Sequence, residues 1–271
     1  MIIYPNAKIN IGLNITEKRT DGFHNIETIF YPINLCDIIE FEEKKIGKTI
    51  LETSGGKLDI LPEENIILKA YNKIKEFNNI PELHFYLHKI IPSGAGLGGG
   101  SSDASAVLNA LNNHFNLSIN KLELHKIAQE LGSDCPFFLE NIPMLGKGKG
   151  ELLTPTDINL KGNYIVIVKP NIFISTKEAY ENITPRKSNF DLTALYQHSV
   201  DNWKNIVRND FEDNLPSKFS EIHQITKTLY SNGAKLAMMS GSGSSVFGIF
   251  EEIPLKEMFL DKDYFIWKGE L

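Results

Sequence analysis

Hydrophobic residues follow two periodicities along this chain, and the changes between them mark its elements. Ala7, Ile9, Ile11, Leu13 and Ile15 alternate with mainly polar neighbours, the two-residue repeat of a half-buried strand. The same reading predicts strands over 7–16, 26–33, 37–42 and 49–53, with turns at Asp21-Gly22 and Gly55-Gly56. Leu83, Phe85 and Leu87 alternate in the same way. Helical spacing replaces alternation over 64–77, where Ile67, Ala70, Tyr71 and Ile74 form one stripe. It returns at Ala104, Val107, Leu108 and Leu111. Further helices are expected over 121–131, 175–182 and 217–231, and further strands over 164–169, 234–239 and 244–250. Strands and helices mix without a regular βαβ repeat, so the fold class is α+β. A change of composition at 146–150, followed by Pro155, divides the chain into two expected lobes, 1–154 and 155–271.

One segment breaks both periodicities. Pro92-Ser93-Gly94-Ala95-Gly96-Leu97-Gly98-Gly99-Gly100-Ser101-Ser102 lies between the strand ending near His88 and the helix carrying Ala104. Glycine admits positive φ and a close approach of backbone to ligand. The helix start that follows offers unpaired N–H groups and the positive end of its dipole, and the two serines add hydroxyl donors. The combination points to an anion, with phosphate the natural one. It is not a P-loop, because no lysine stands before Ser101. Nor is it a Rossmann turn, which wants an acidic residue about twenty positions on, where Asn120-Lys121 stands.

Composition narrows the partners. The chain has 271 residues and a net charge of −6, so no overall basic field recruits nucleic acid or membrane, and no basic stripe suggests either. An anionic substrate needs local cations instead. Cys36 and Cys135 are the only cysteines, too few for a disulfide framework or a zinc cluster. No signal-like start and no bilayer-length apolar run is present, and a cytoplasmic protein is expected.

Local cations and carboxylates then gain weight. Lys8, Asn10 and Asn14 share the polar face of the first strand, either as a solvated edge or as a rigid mount for a cation beside a transferring phosphoryl group. In Leu131-Gly-Ser-Asp134-Cys-Pro136, Gly132 ends one helix and Pro136 fits the first turn of another. Asp134 there is an N-cap or a carboxylate placed to orient a hydroxyl. A second glycine-serine run, Ser240-Gly-Ser-Gly-Ser-Ser245, is a tight hairpin or part of the same site. Lys147 and Lys149 sit in a glycine loop and read as solvated.

Taken together, Pro5–Asn10, Pro92–Ser102 and Met238–Val246 resemble, in order, the three motifs of the GHMP kinases, the family of galactokinase and of homoserine, mevalonate and phosphomevalonate kinases. Ala7-Lys-Ile-Asn-Ile-Gly-Leu13, Arg19-Thr-Asp-Gly-Phe23-His24, Gly96–Ala104 and Leu131–Phe138 are similar to the branch acting on a cytidine diphosphate derivative of methylerythritol. The third glycine before Ser101 departs from the broad family pattern and fits that branch. The resemblance implies a two-lobed fold of helices with mixed and antiparallel sheets, its active site in the cleft between lobes. It implies transfer of the ATP γ-phosphate to the 2-hydroxyl of that substrate, with Mg²⁺ arriving on ATP and no metal ligand assigned in the chain. Asp134 becomes the catalytic carboxylate and Lys8 its cationic partner, while residues 92–102 wrap the ATP phosphates. Asn10 contacts the substrate, His24 bonds the cytosine edge, and Phe23 and Tyr180 stack on its two faces. Nucleic acid, membrane and an obligate protein partner are not implied. A nucleotide-binding regulatory module is the rival class, and the presence of both Lys8 and Asp134 argues against it.

Overall fold

The computed structural model describes every residue except 59, 182, 189, 255–257, 260 and 261. Its strands begin with a short β1 (Ile2–Ile3) and a long β2 (Asn6–Lys18), followed by β3 (His24–Cys36), β4 (Ile38–Glu43) and β5 (Ile50–Gly55). Then come β6 (Leu83–Lys89), β7 (Met144–Lys147), β8 (Leu152–Pro155) and β9 (Tyr164–Lys169). β10 (Leu236–Met239), β11 (Val246–Phe250) and β12 (Phe265–Glu270) complete them. Helices are α1 (Ile66–Phe77), α2 (Gly99–His114), α3 (Lys121–Leu131) and α4 (Cys135–Glu140), then α5 (Thr176–Glu181), α6 (Val200–Trp203), α7 (Asp210–Asp213) and α8 (Ser220–Ser231). The expected α+β class stands. Residue 182, expected to end α5, lies outside the described residues.

Contacts group the chain into two compact units that interleave in sequence. One holds residues 1–7, 35–93 and 98–142, the other 8–34, 94–97 and 143–271. A single division after residue 154 would fall inside β8, whose Thr154 and Pro155 pair with Leu145 and Met144. The glycines of 146–150 are therefore the turn of a hairpin, β7 to β8, with Gly148 and Gly150 at positive φ.

In the first unit a mixed sheet runs β1-β4-β6-β5, with β4 antiparallel and β5 parallel to β6. Alternation in β6 sends Leu83, Phe85 and Leu87 into a core with Ile67, Ala70, Tyr71 and Ile74 of α1 and Ala104, Val107, Leu108 and Leu111 of α2. Helix starts are fixed locally. Asn65 caps α1 by accepting from the Ile67 N–H, and Asn120 with Glu123 forms a capping box on α3. α2 has no side-chain cap; Gly98 precedes it in the left-handed region, with φ +72°.

The second unit contains two sheets, β2-β3-β7-β8 and the antiparallel β10-β11-β9-β12. β11 is buried along its whole length, and Val166, Val168 and Val246 join α8 residues Ile222, Ile225 and Leu229 in one core. Among the described residues no helix is long and apolar enough to cross a membrane.

Candidate functional site

The first correction concerns β2. Its polar positions are not a solvated edge: Lys8, Asn10 and Asn14 are 3%, 2% and 6% exposed. A buried ammonium requires partners in place. Lys8 Nζ donates to Asn10 Oδ1 at 2.6 Å and to the Gly96 carbonyl at 3.1 Å, and it lies 5.3 Å from the centre of the Phe30 ring. The Lys8 N–H bonds the Leu97 carbonyl at 3.0 Å. Asn10 is held in turn by Thr28, whose hydroxyl accepts from its amide at 3.0 Å and donates to the Gly12 carbonyl. Gly12, at φ +68°, interrupts the regular extended geometry of β2. Asn14 belongs to a different neighbourhood, a cavity of about 260 Å³ lined also by Arg186, Arg208 and Asp210.

The second glycine-serine loop meets the same place. Ser240 Oγ donates to the Gly96 carbonyl at 2.9 Å and accepts the Asn10 N–H at 3.2 Å, and the Ser245 N–H bonds the Ala95 carbonyl at 3.1 Å. Asn209 fixes the start of the loop by donating to the Met239 and Gly241 carbonyls, both at 2.8 Å. Gly96 is at φ +77°, and a Cβ there would stand 1.9 Å from the Ser240 carbonyl oxygen. Only glycine fits. Lys8, Asn10, Gly96 and Ser240, from three separate motifs, thus form one hydrogen-bonded group.

The rest of the glycine run belongs to the first unit. Gly98 through Ser102 make the start of α2, where the Ser102 N–H is the first to bond within the helix, to the Gly98 carbonyl at 2.9 Å. By helix geometry the N–H groups of Gly99, Gly100 and Ser101 have no acceptor inside it. Pro92 is half-buried and Ser93 exposed. Asp134 stands at the N-cap position of α4, yet its side chain makes no capping bond there, so helix capping does not account for it. It is half-buried beside Cys135. Burial pushes the Cys135 thiol up to about 11, with Ser101 hydrogen bonding opposing the shift and the Asp134 charge reinforcing it. Ser105 Oγ donates to the Cys135 carbonyl at 2.7 Å. The starts of α2 and α4 are neighbours.

The residues expected around a cytosine lie in the second unit. His24 and Tyr180 are stacked on each other, ring centres 4.6 Å apart and 14° from parallel. Tyr180 also meets Phe211 edge-on at 4.8 Å. Burial, and then Lys18, lower the His24 pKa, which favours a neutral ring. Phe23 is 57% exposed, with Lys149 Nζ 4.7 Å from its ring centre. Lys149 is therefore engaged with an aromatic face, and Lys147 pairs with Glu27 at 3.1 Å. The structure brings His24 and Tyr180 together and leaves the Phe23 ring outward.

Thr28 and Asn209 escaped the sequence reading, and Ser240 entered it only as part of its loop. Ser240 had a signal in its glycine-serine run. Thr28 and Asn209 had none, because a single polar residue in a strand or at a short helix is ordinary. Among the described residues, no group of three or more His, Cys, Asp or Glu is arranged to hold a metal ion.

Comparison with known proteins covers the same segments. The chain matches the GHMP kinases N terminal domain over residues 65–141 and the GHMP kinases C terminal domain over residues 191–258. It is 45% identical to the 4-diphosphocytidyl-2-C-methyl-D-erythritol kinase of Parabacteroides distasonis, over 100% of both chains. It is 47% identical to the kinase of that name from Bacteroides fragilis, over 92% of each. A crystal structure of 4-(cytidine 5'-diphospho)-2C-methyl-D-erythritol kinase superposes with a TM-score of 0.79 at 29% identity, covering 92% of this chain and 90% of that one.

Proposed function

The chain belongs to the GHMP kinase family, and on that premise we propose that it phosphorylates the 2-hydroxyl of 4-diphosphocytidyl-2-C-methyl-D-erythritol with ATP, a step of the non-mevalonate route to isoprenoid precursors. The observation that carries the choice of acceptor is the 45% identity to a kinase of that name over the whole of both chains. In functional terms residues 1–154 hold the phosphate loop, Lys8 and Asp134. Residues 155–271 add Tyr180 and the Ser240–Ser245 loop.

The transfer is direct and in line. The 2-hydroxyl oxygen attacks the γ-phosphorus, the bond from that phosphorus to the β,γ-bridging oxygen breaks, and ADP leaves with the electron pair. Asp134 aligns the hydroxyl and receives its proton. Lys8, fixed by Asn10 and Gly96, is the immobile cation that offsets charge on the transferring group. The unpaired N–H groups at the start of α2, with Ser101 and Ser102, receive phosphate oxygens, and Pro92 through Leu97 cover them. Phe23 offers one stacking face to the cytosine; on Tyr180 the base takes the place that the His24 ring holds at 4.6 Å, with His24 turning aside to bond the base edge, and Asn10 contacts the methylerythritol. Mg²⁺ enters on ATP, held chiefly by phosphate oxygens.

The test is an ADP-release assay with Mg-ATP and four acceptors in turn: the cytidylyl substrate, mevalonate, homoserine and galactose. Turnover is expected with the first alone, with CMP and CDP competing against it. Asp134→Ala is expected to lose at least about 10³-fold in kcat while binding an ATP analogue normally. Turnover with another acceptor would remove the cytosine assignment, and near-normal kcat in the variant would remove Asp134 from the chemistry.

A further inference from the structure

The strand leading into the glycine loop ends in a charge that the mechanism above does not use. Lys89 closes β6 and is 5% exposed. Its ammonium is hydrogen-bonded to the Asp37 carboxylate and lies 2.9 Å from Asp103 Oδ2. Asp37 and Asp103 are buried as completely. Three ionisable side chains at this depth carry a large desolvation cost, which is offset only where the geometry around them is good.

That geometry points to the phosphate loop. Asp37 Oδ1 accepts the N–H groups of Ile90 and Ile91, at 2.6 and 2.8 Å, where the chain leaves β6 for the loop. Asp103 stands early on α2, just past the helix start. Between them, a Cβ on Gly99 would lie 3.0 Å from Lys89 Nζ and 2.9 Å from Ile91 Cγ2. The ammonium therefore rests against the backbone of the first residue of α2. A cation at a helix N-terminus is repelled by the helix dipole, the reverse of what helix stability favours. Two carboxylates hold it there, and a polyphosphate arriving on the free N–H groups adds attraction.

We propose that Lys89, clamped by Asp37 and Asp103, is a positioning residue that holds the Gly98–Ser101 backbone in register for the ATP phosphates. This rests on the kinase reading, and Lys89 acts through Gly99 rather than on substrate. Burial raises the Asp103 carboxyl to about 7 against the opposing attraction of Lys89, so near neutral pH it spends part of its time protonated. Asn at this position keeps the shape and the oxygen that Lys89 bonds.

The test is calorimetric titration of the full chain with a non-hydrolysable ATP analogue, together with KM values for both substrates. Asp103→Asn is expected to bind the analogue within about threefold of wild type, whereas Asp103→Ala and the double variant Lys89→Met/Asp103→Leu lose about tenfold or more, with the acceptor KM shifted less than about twofold. The double variant leaves Asp37 its two backbone N–H donors but no cation, so it is expected to melt below wild type, and its affinity is measured at a temperature where it stays folded. Should either disruptive variant fail to fold, the other is compared with Asp103→Asn. Wild-type analogue affinity in a disruptive variant, equal losses for both substrates, or Asp103→Asn as weak as the disruptive variants would overturn the assignment. Should wild type bind the analogue but phosphorylate no acceptor, the acceptor reading fails and the analogue affinities alone decide the role of Lys89.

Discussion

Lys8 and Asn10 lie on the same strand as five aliphatic residues, and all of them are buried. Alternation identified two faces of that strand but could not say that both were covered, since a polar face looks the same whether it meets water or Ser240 and Gly96. Asp103 was less visible still: on a helix whose inward stripe was already assigned, an aspartate reads as surface. Its burial gives it a measurable signature. The ordinary value for the carboxyl is 3.8 and the folded value is about 7, so between them the folded chain binds more protons than the unfolded one. Stability contributed at this site therefore falls as pH rises through that window. Asp103→Asn removes the effect, and its stability relative to wild type is expected to grow from about pH 4.5 to about pH 7.5 in urea denaturation. Parallel curves for the two proteins would show that Asp103 titrates normally.

Helices and strands were the most legible scale. The stripe of Ile67, Ala70, Tyr71 and Ile74 and the alternation of Leu83, Phe85 and Leu87 both became core, because period and burial are tied by backbone geometry. Short strands were unevenly legible: the four-residue β10 lies within the strand expected over 234–239, whereas β7 and β8 were missed. β7 and β8 are four residues each, and the glycines between them read as a boundary although they turn a hairpin. β12 went unseen, since its exposure alternates weakly and its strength comes from pairing with β9. Loops were legible as chemistry but not as partners: the glycine run predicted a phosphate site, while its packing on Ser240 depends on residues 144 positions away. Gly96→Ala tests that packing. A methyl at 1.9 Å from the Ser240 oxygen, at φ +77°, must displace one loop or the other. A loss of about 10²-fold in kcat/KM is expected from such a displacement. Unchanged kinetics would mean that the Lys8–Gly96–Ser240 group has no part in the reaction.

At the scale of the whole molecule, a net charge of −6 leaves recruitment of an anionic substrate to a few fixed groups. Lys8 in one unit and Lys89 in the other are both buried, both paired and both within reach of glycine-loop backbone. Interleaving of the two units along the chain was invisible to composition, because segments 8–34 and 94–97 join their unit through pairing and loop contacts rather than through any break in sequence. The acceptor proposed from full-length identity to a named kinase has a property that makes the claim directly testable. Its 2-carbon bears a methyl group and no hydrogen. A phosphate placed on the 2-hydroxyl therefore has no neighbouring carbinol proton to couple with. The decisive measurement is proton-coupled ³¹P NMR of the product formed from 4-diphosphocytidyl-2-C-methyl-D-erythritol and Mg-ATP. A new phosphomonoester singlet beside the intact diphosphate signals is the predicted result, and a proton-split monoester, or no monoester at all, would contradict it.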